Sequence, residues 1–279
     1  MTAQRSGGST LRDFTRDARV LRVPHAQPSA DRVAFLASFG TEDKPEKSVV
    51  AFSSALHAAG YTVIIVRTSP DGEPWTDLSE LDPAIGYIQR SNVGYDFGSW
   101  ATGMAYFPHL LSADAVLLVN DSLVGPFGDI SALLADFEST SADAWSATGT
   151  LQFFPHMQSF FVGFRRGILE DAALRKFWGG IRELSHKNQI IEHYEIGLTR
   201  YLLEHDYSYT SAIASELVVT NGNNPTIQGW AQLLHEGFPF IKRELLTAER
   251  FSGDARAARA LVSTLYAENL DHWLAKEVS

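Results

Sequence analysis

Residues 33–39, VAFLASF, form an unbroken apolar run of strand length, and residues 61–67, YTVIIVR, form a second. Between them, Pro45 to Ala59 carries apolar positions at helical spacing, and Gly60 supplies the stop. Two continuously apolar strands around a helix predict a parallel pair buried on both faces, as when helices cover a sheet. The alternation continues with a strand near Ile85 to Gln89, a helix from about Phe97, a strand over 115–119 (AVLLV) and a helix from Ile130 to Phe137. After Ala144 the rhythm changes. A strand near Ser146 to Gly149 leads through LQFFPHMQ into SFFVGF, and helices are predicted over 168–184, 188–205 and Ala255 to Lys276.

This order predicts an α/β fold with a Rossmann-type, mostly parallel central sheet flanked by helices and a helical C-terminal part. Residues 1–30 are polar, with Gly7, Gly8, Pro24 and Pro28, and read as a flexible or helical leader before a fold that starts at Val33. With no repeat or linker in view, residues 31–279 read as a single domain. Its first half, 31–140, would bind a nucleotide-bearing ligand, and its second, 141–279, a second substrate.

Composition narrows the function. A hydrophobic share of 45% can fill a core, and six Trp, nine Tyr and seventeen Phe leave rings over for stacking. A formal charge of −10 with no clustered Lys or Arg argues against a nucleic-acid partner. The absence of cysteine removes disulfides, thiol nucleophiles and cysteine-ligated metals, and fits a cytoplasmic chain. The polar opening, MTAQRSGGSTLRDFTRD, lacks the apolar segment of a secretory signal. Apolar runs fall well short of the roughly 20 residues needed to span a bilayer, so any contact with the inner face of a membrane would be peripheral.

Four stretches carry candidate chemistry. In RSNVGYDFGSW, 90–100, Gly94 and Gly98 would let backbone approach a ligand, Asp96 sits at a helix entry, and exposed amides there can meet an anion; the alternative is that Asp96 is only an N-cap and Asn92 to Gly94 a turn. In VLLVNDSLVGPFG, 116–128, a strand runs into Asn120, Asp121 and Ser122, where open α/β sheets bind ligands. Asp121 suits a metal-bound diphosphate or a ribose, or else merely forms a turn; the same three residues match an N-glycosylation sequon, which matters only for a secreted chain. In TGTLQFFPHMQSFFVGF, 148–164, His156, Gln158 and Ser159 sit among aromatics just before a strand. In the helix 188–205, Ile190, Ile191, Tyr194, Leu198, Tyr201 and Leu202 form one stripe with Glu195 on its shoulder. Glu195 is then either a buried acid bonded to backbone or arginine, or a general base. A fifth, weaker stretch, 221–245, places Lys242 and Arg243 after Phe238-Pro239-Phe240, as surface charge or within reach of a diphosphate. The P-loop, GxGxxG, HExxH and GxSxG signatures are absent.

Taken in order, RSNVGYDFGSW, VLLVNDSLVGPF, GT with PHMQSFF, IIEHYEIGLT and NPT…W…FPFIKRELL resemble the successive motif blocks of the rhamnan synthesis protein F family, across about residues 33–246. The resemblance implies a GT-A-like glycosyltransferase moving L-rhamnose from dTDP-β-L-rhamnose, with inversion, onto a cell-surface polysaccharide or lipid-linked glycan. It implies donor binding by Asn92, Gly94, Asp96, Asn120, Asp121, Ser122, Gln158, Ser159 and Lys242, with Glu195 as base and His156 in reserve. GT-A enzymes commonly carry two acids one residue apart; here Leu123 stands where the second would be. Either Asp121 and the diphosphate oxygens hold a Mg²⁺ or Mn²⁺, or no metal is required. Two other readings stay open: a non-catalytic sugar- or nucleotide-binding subunit of a polysaccharide assembly complex, and a transferase using another nucleotide sugar.

Overall fold

The strand Arg32–Phe39 (β2, after a short upstream strand described below) shows why the sheet must be covered twice. Its Val33, Phe35 and Ala37 enter one apolar cluster, and Ala34 and Leu36 enter another on the opposite face. A computed structural model describes residues 10–25, 31–184, 186–220 and 222–274. Within them a short helix, α1 (Leu11–Arg16), and a strand, β1 (Arg19–Arg22), precede β2; then come α2 (Lys47–Ala58), β3 (Thr62–Ser69), β4 (Gly86–Ser91) and α3 (Tyr95–Tyr106). β5 (Ala115–Asn120), β6 (Leu123–Val124), α4 (Ser131–Ser139), β7 (Ala144–Thr150), β8 (His156–Met157) and β9 (Phe161–Arg165) follow. The remainder is α5 (Ala172–Gly179), α6 (Lys187–Ile190), α7 (Ile196–Glu204), β10 (Tyr209–Ile213), α8 (Trp230–His235), β11 (Ile241–Lys242), α9 (Arg243–Thr247), α10 (Ser252–Tyr266) and α11 (Asp271–Leu274).

The main sheet has the order β1-β4-β3-β2-β5-β9-β7-β10, with β8 hairpinned onto β7. β4, β3, β2 and β5 are mutually parallel, as the apolar runs predict. β9 runs antiparallel to both β5 and β7, and β10 is parallel to β7, so the second half extends the sheet in mixed fashion. From β2 the chain steps outward to β3 and β4, then returns through α3 to β5 on the other side of β2. The reversal makes the carboxyl ends of β2 and β5 the switch point, where such sheets open a crevice. α3 lies on one face, with Trp100 Nε1 donating to the Val119 carbonyl at 2.9 Å. Phe52 and Leu56 of α2 and Leu134 and Phe137 of α4 pack in the cluster on the other. The last helices gather a third cluster around β6 and β11, which pair antiparallel.

Several expectations are corrected. The fold begins before Val33: β1 pairs antiparallel with β4, and Phe14 of α1 is fully buried. Residues 1–9 and 26–30 of the expected leader lie outside the described residues. The helix expected over 168–184 is a 3-10 turn, Ile168–Glu170, then α5, because Asp171 is extended (ψ 145°) and the Gly179-Gly180 pair ends the second piece. The last helix stops at Tyr266, where Ala267 turns left-handed (φ 55°), and α11 follows; residues 275 and 276 of the expected span lie outside the described residues. β10 has no continuous apolar run to mark it, being short and half-buried along most of its length. The helix over 188–205 is real but interrupted: Ile191–Glu195 forms a π turn in which the Ile196 N–H reaches the Ile191 carbonyl, five residues back.

Candidate functional site

At the carboxyl end of β5, Asn120 is buried, and its side chain does two things. Its Oδ1 accepts from the Ser122 N–H (3.1 Å) and hydroxyl (2.6 Å), which forms the turn, and its Nδ2 donates to Asp96 Oδ2 at 2.7 Å. The turn belongs to Asn120, while Asp121 is free to point elsewhere. Asp121 Oδ2 accepts the Phe39 N–H at 2.7 Å, so this carboxylate bridges the ends of β5 and β2 across the switch point. Burial, then the neighbouring Asp96 charge, push Asp121 up to about 7. Burial pushes Asp96 up to about 6, against the Asn120 hydrogen bond and the Lys242 charge.

Asp96 is not the cap of α3; Gly94 is, with a left-handed backbone (φ 79°), and Asp96 stands in the first turn. The two glycines of this block leave space for the protein itself and not for a ligand. A Cβ on Gly94 would lie 2.8 Å from the Phe14 ring, and one on Gly98 would lie 2.7 Å from Arg90 Nη2. Arg90, nearly fully buried, donates to the Ser91 and Val93 carbonyls and so fixes the loop that delivers Asp96. Asn92 is exposed.

Beyond these strand ends lies a cavity of about 420 Å³. Its wall includes Asp96, Asn120, Ser122, His156, Gln158, Ser159, Glu195 and Lys242 of the residues expected from sequence; Asn92, Gly94 and Asp121 stand outside it. Glu195 closes the far side. The π turn carries it toward the turn between β8 and β9, where Ser159 donates to Glu195 Oε2 from its N–H (3.1 Å) and, in a very short contact, from its hydroxyl. Of the two readings of Glu195 made from sequence, the acid is indeed bonded to backbone, and it also faces the cavity. His156 is buried; its Nδ1–H donates to the Phe154 carbonyl at 2.6 Å, and its Nε2 lies 3.4 Å from Glu195 Oε1. Burial raises the Glu195 carboxyl, but His156, Lys242 and Ser159 together outweigh it, and it sits below its ordinary range. Because the Phe154 carbonyl can only accept, Nδ1 carries a hydrogen, and Nε2 is the ring nitrogen left to face Glu195 Oε1.

Gln158 Oε1 accepts from the Thr148 hydroxyl (2.8 Å) and its Nε2 donates to Asn224 Oδ1 (3.2 Å), which fastens the wall to the 222–228 loop. Lys242, on β11, lies over the Phe160 ring at 4.8 Å and brings a cation to the cavity; Arg243 instead donates to the Asp121 carbonyl and pairs with Glu46. Sequence reasoning missed Tyr95, Gln152, Phe153 and Asn224 in the wall. Tyr95 and Phe153 are exposed aromatics with left-handed backbones (φ 53° and 66°), a conformation costing bulky residues about 1–3 kcal/mol, and no sequence pattern announces it.

The metal expectation fits this geometry poorly. Among the described residues no three His, Cys, Asp or Glu side chains come close enough to hold an ion, and Asp121 is turned to Phe39. Nor is any helix among them long and apolar enough to cross a membrane.

The chain is 30% identical over 192 residues to Virulence protein VirA of Vibrio anguillarum, covering 57% of this chain and 62% of that protein; the counterpart from strain ATCC 68554 / 775 gives the same figures. It is 26% identical over 134 residues to the uncharacterized protein y4gN of Sinorhizobium fredii (strain NBRC 101917 / NGR234), covering 46% of this chain and 35% of that one. The chain thus spans less than two thirds of the length of these relatives. A family model, rhamnan synthesis protein F, matches residues 75–270, a span that holds every cavity-wall residue from Tyr95 to Glu244. With most of its length so matched, the chain belongs to the rhamnan synthesis protein F family.

Proposed function

We propose that this chain is a GT-A-like, inverting glycosyltransferase that moves L-rhamnose from dTDP-β-L-rhamnose onto a cell-surface polysaccharide or lipid-linked glycan at the cytoplasmic side of a membrane. One observation carries the reading: a single cavity at the strand ends holds the Glu195–His156 pair and the Lys242 ammonium together. Sugar transfer from a diphosphate needs both, a sink for the acceptor's proton and a positive charge for the departing phosphate.

In the proposed reaction the acceptor oxygen attacks the anomeric carbon as the bond to the diphosphate breaks. The acceptor's proton passes to the Glu195–His156 pair, and Lys242 meets the charge growing on the leaving oxygen. One displacement inverts the centre. Asp96, Asn120, Ser122, Gln158 and Ser159 bind the donor's hydroxyls and phosphates, with Asn92 and Gly94 acting from the loop that presents Asp96. No step uses a metal.

Calorimetry with dTDP, UDP and GDP, with and without Mg²⁺, tests the reading. dTDP is expected to bind best, Lys242→Ala to weaken it about tenfold or more, and Glu195→Gln to keep binding while losing turnover by about 10²-fold or more. Failure of all three nucleotides to bind the unaltered chain would falsify the proposal. Binding without any transfer would instead favour a non-catalytic subunit.

A further inference from the structure

The hairpin between β7 and β8 separates two cavities. Thr150 and His156 pair in register at its base, and both belong to the walls of both cavities. Between them, Gln152 and Phe153 face the main cavity, whereas Leu151 and Pro155 face a second groove of about 230 Å³. Hydrogen bonds hold the partition in place: the Gln152 N–H donates to Thr150 Oγ1 at 3.1 Å, and the Met157 N–H donates to Thr199 Oγ1 at 3.2 Å. Arg200 lies over the Phe154 ring at 4.6 Å.

The far wall of the groove comes from β10 and the turn after it, with Tyr209, Thr210, Ser211, Ser215 and Glu216. Gly149 lets β10 come close; a Cβ there would sit 2.8 Å from the Ser211 hydroxyl. Hydroxyls that both donate and accept, with one carboxylate that accepts, match a polyol. Among the described residues the lining holds no Lys or Arg, and Glu216 would repel a phosphate. At about half the volume of the main cavity, the groove suits one sugar ring better than a nucleotide.

The geometry points to this second groove as the binding site for the acceptor's terminal sugar, which reaches the donor past Thr150 and His156. The inference rests on the glycosyl-transfer reading and adds the place and chemistry of its second substrate. A hydroxyl held in the groove comes nearest the donor at Thr150 and His156, which line both cavities. Its oxygen bonds to the anomeric carbon, its proton stays with the His156–Glu195 pair, and the nucleoside diphosphate leaves from the main cavity.

The test uses the full chain and three neutral probes: methyl α-L-rhamnoside, methyl β-D-glucoside and methyl N-acetyl-β-D-glucosaminide. Binding is followed by saturation-transfer NMR, and dTDP affinity is measured in parallel. At least one probe is expected to bind and to remain bound when dTDP saturates. Thr210→Trp, which fills the groove, should weaken that probe about tenfold, and Glu216→Ala, a change at an exposed position, about threefold. Both variants should hold dTDP within twofold of the unaltered chain. The inference is overturned if no probe binds, if dTDP displaces the probe, or if Glu216→Ala and Thr210→Trp both leave probe binding unchanged. If no nucleotide binds but a probe does, and both variants lose it, the groove stands as a sugar site while the transferase reading falls.

Discussion

Asp121 should make this protein less stable as the solution becomes more alkaline, and replacing it with asparagine should reverse that. The carboxyl titrates at about 7 where an ordinary aspartate titrates at 3.8, because burial and the nearby Asp96 charge oppose ionisation. A folded-state value raised above the unfolded one means that folding favours the protonated form. That contribution is complete below about pH 4 and is lost as pH rises through about 7. At about 1.4 kcal/mol for each pH unit of displacement, holding the ion in the fold at pH 8 costs about 4 kcal/mol. Residual exposure of the side chain screens part of this. The amide oxygen of an asparagine in its place would still accept the Phe39 N–H, with a loss of about 1 kcal/mol for the missing charge. Asp121→Asn should therefore gain about 2 kcal/mol at pH 8 and nothing at pH 4. Urea unfolding at half-unit steps from pH 4 to 8.5 measures it. Parallel curves for the two proteins, or an asparagine variant no more stable at pH 8, would refute the reasoning. In an Asp96→Asn background the gain should shrink, since one of the two forces that raise Asp121 has gone.

Two further substitutions probe the backbone around the cavity. Gly94→Ala should cost about 2–3 kcal/mol in urea unfolding, since the left-handed backbone and a Cβ 2.8 Å from the Phe14 ring both oppose it; a loss under about 0.5 kcal/mol would show that α1 does not dock there. Phe153→Gly should move stability and binding in opposite directions. It relieves a strained, 83% exposed residue and gains about 1 kcal/mol, yet weakens dTDP about fivefold by removing a ring from the cavity wall; unchanged affinity would leave the strain without a purpose.

What the sequence disclosed follows from the range of the forces involved. Continuous apolar runs at 33–39, 61–67 and 115–119 mark strands buried on both faces, and their parallel pairing emerged as expected. The strand-end rule led to Asn120, and the aromatic block led to His156 and Ser159, all in the cavity wall. The errors share a cause. Gly94 and Gly98 look the same in sequence whether they admit a ligand or a side chain, and only long-range packing brings Phe14 and Arg90 into those spaces. Asp121 looks like a ligand for an ion until Phe39, 82 positions away, offers its N–H. β1, with its alternation of exposed and half-buried positions, is too short and polar to stand out until β4 is there to pair with it.

The π turn at Ile191–Glu195 sets the register between two anchored stretches of one helix. Downstream, Leu198 and Leu202 lie in the core, so α7 cannot slide, and Glu195, joined directly to it, keeps its place beside Ser159. A chain shorter by one residue between Ile191 and Glu195 could close into a regular helix only by rotating the stretch before the turn by about 100°. Ile190 would leave the core, and Ile190 and Ile191 would leave the cavity wall. Among relatives, a single gap in this helix would therefore mark a rebuilt wall facing an unmoved carboxylate. In an alignment such a gap reads as noise; here it would separate chains that differ in the shape of the cavity and not in its acid.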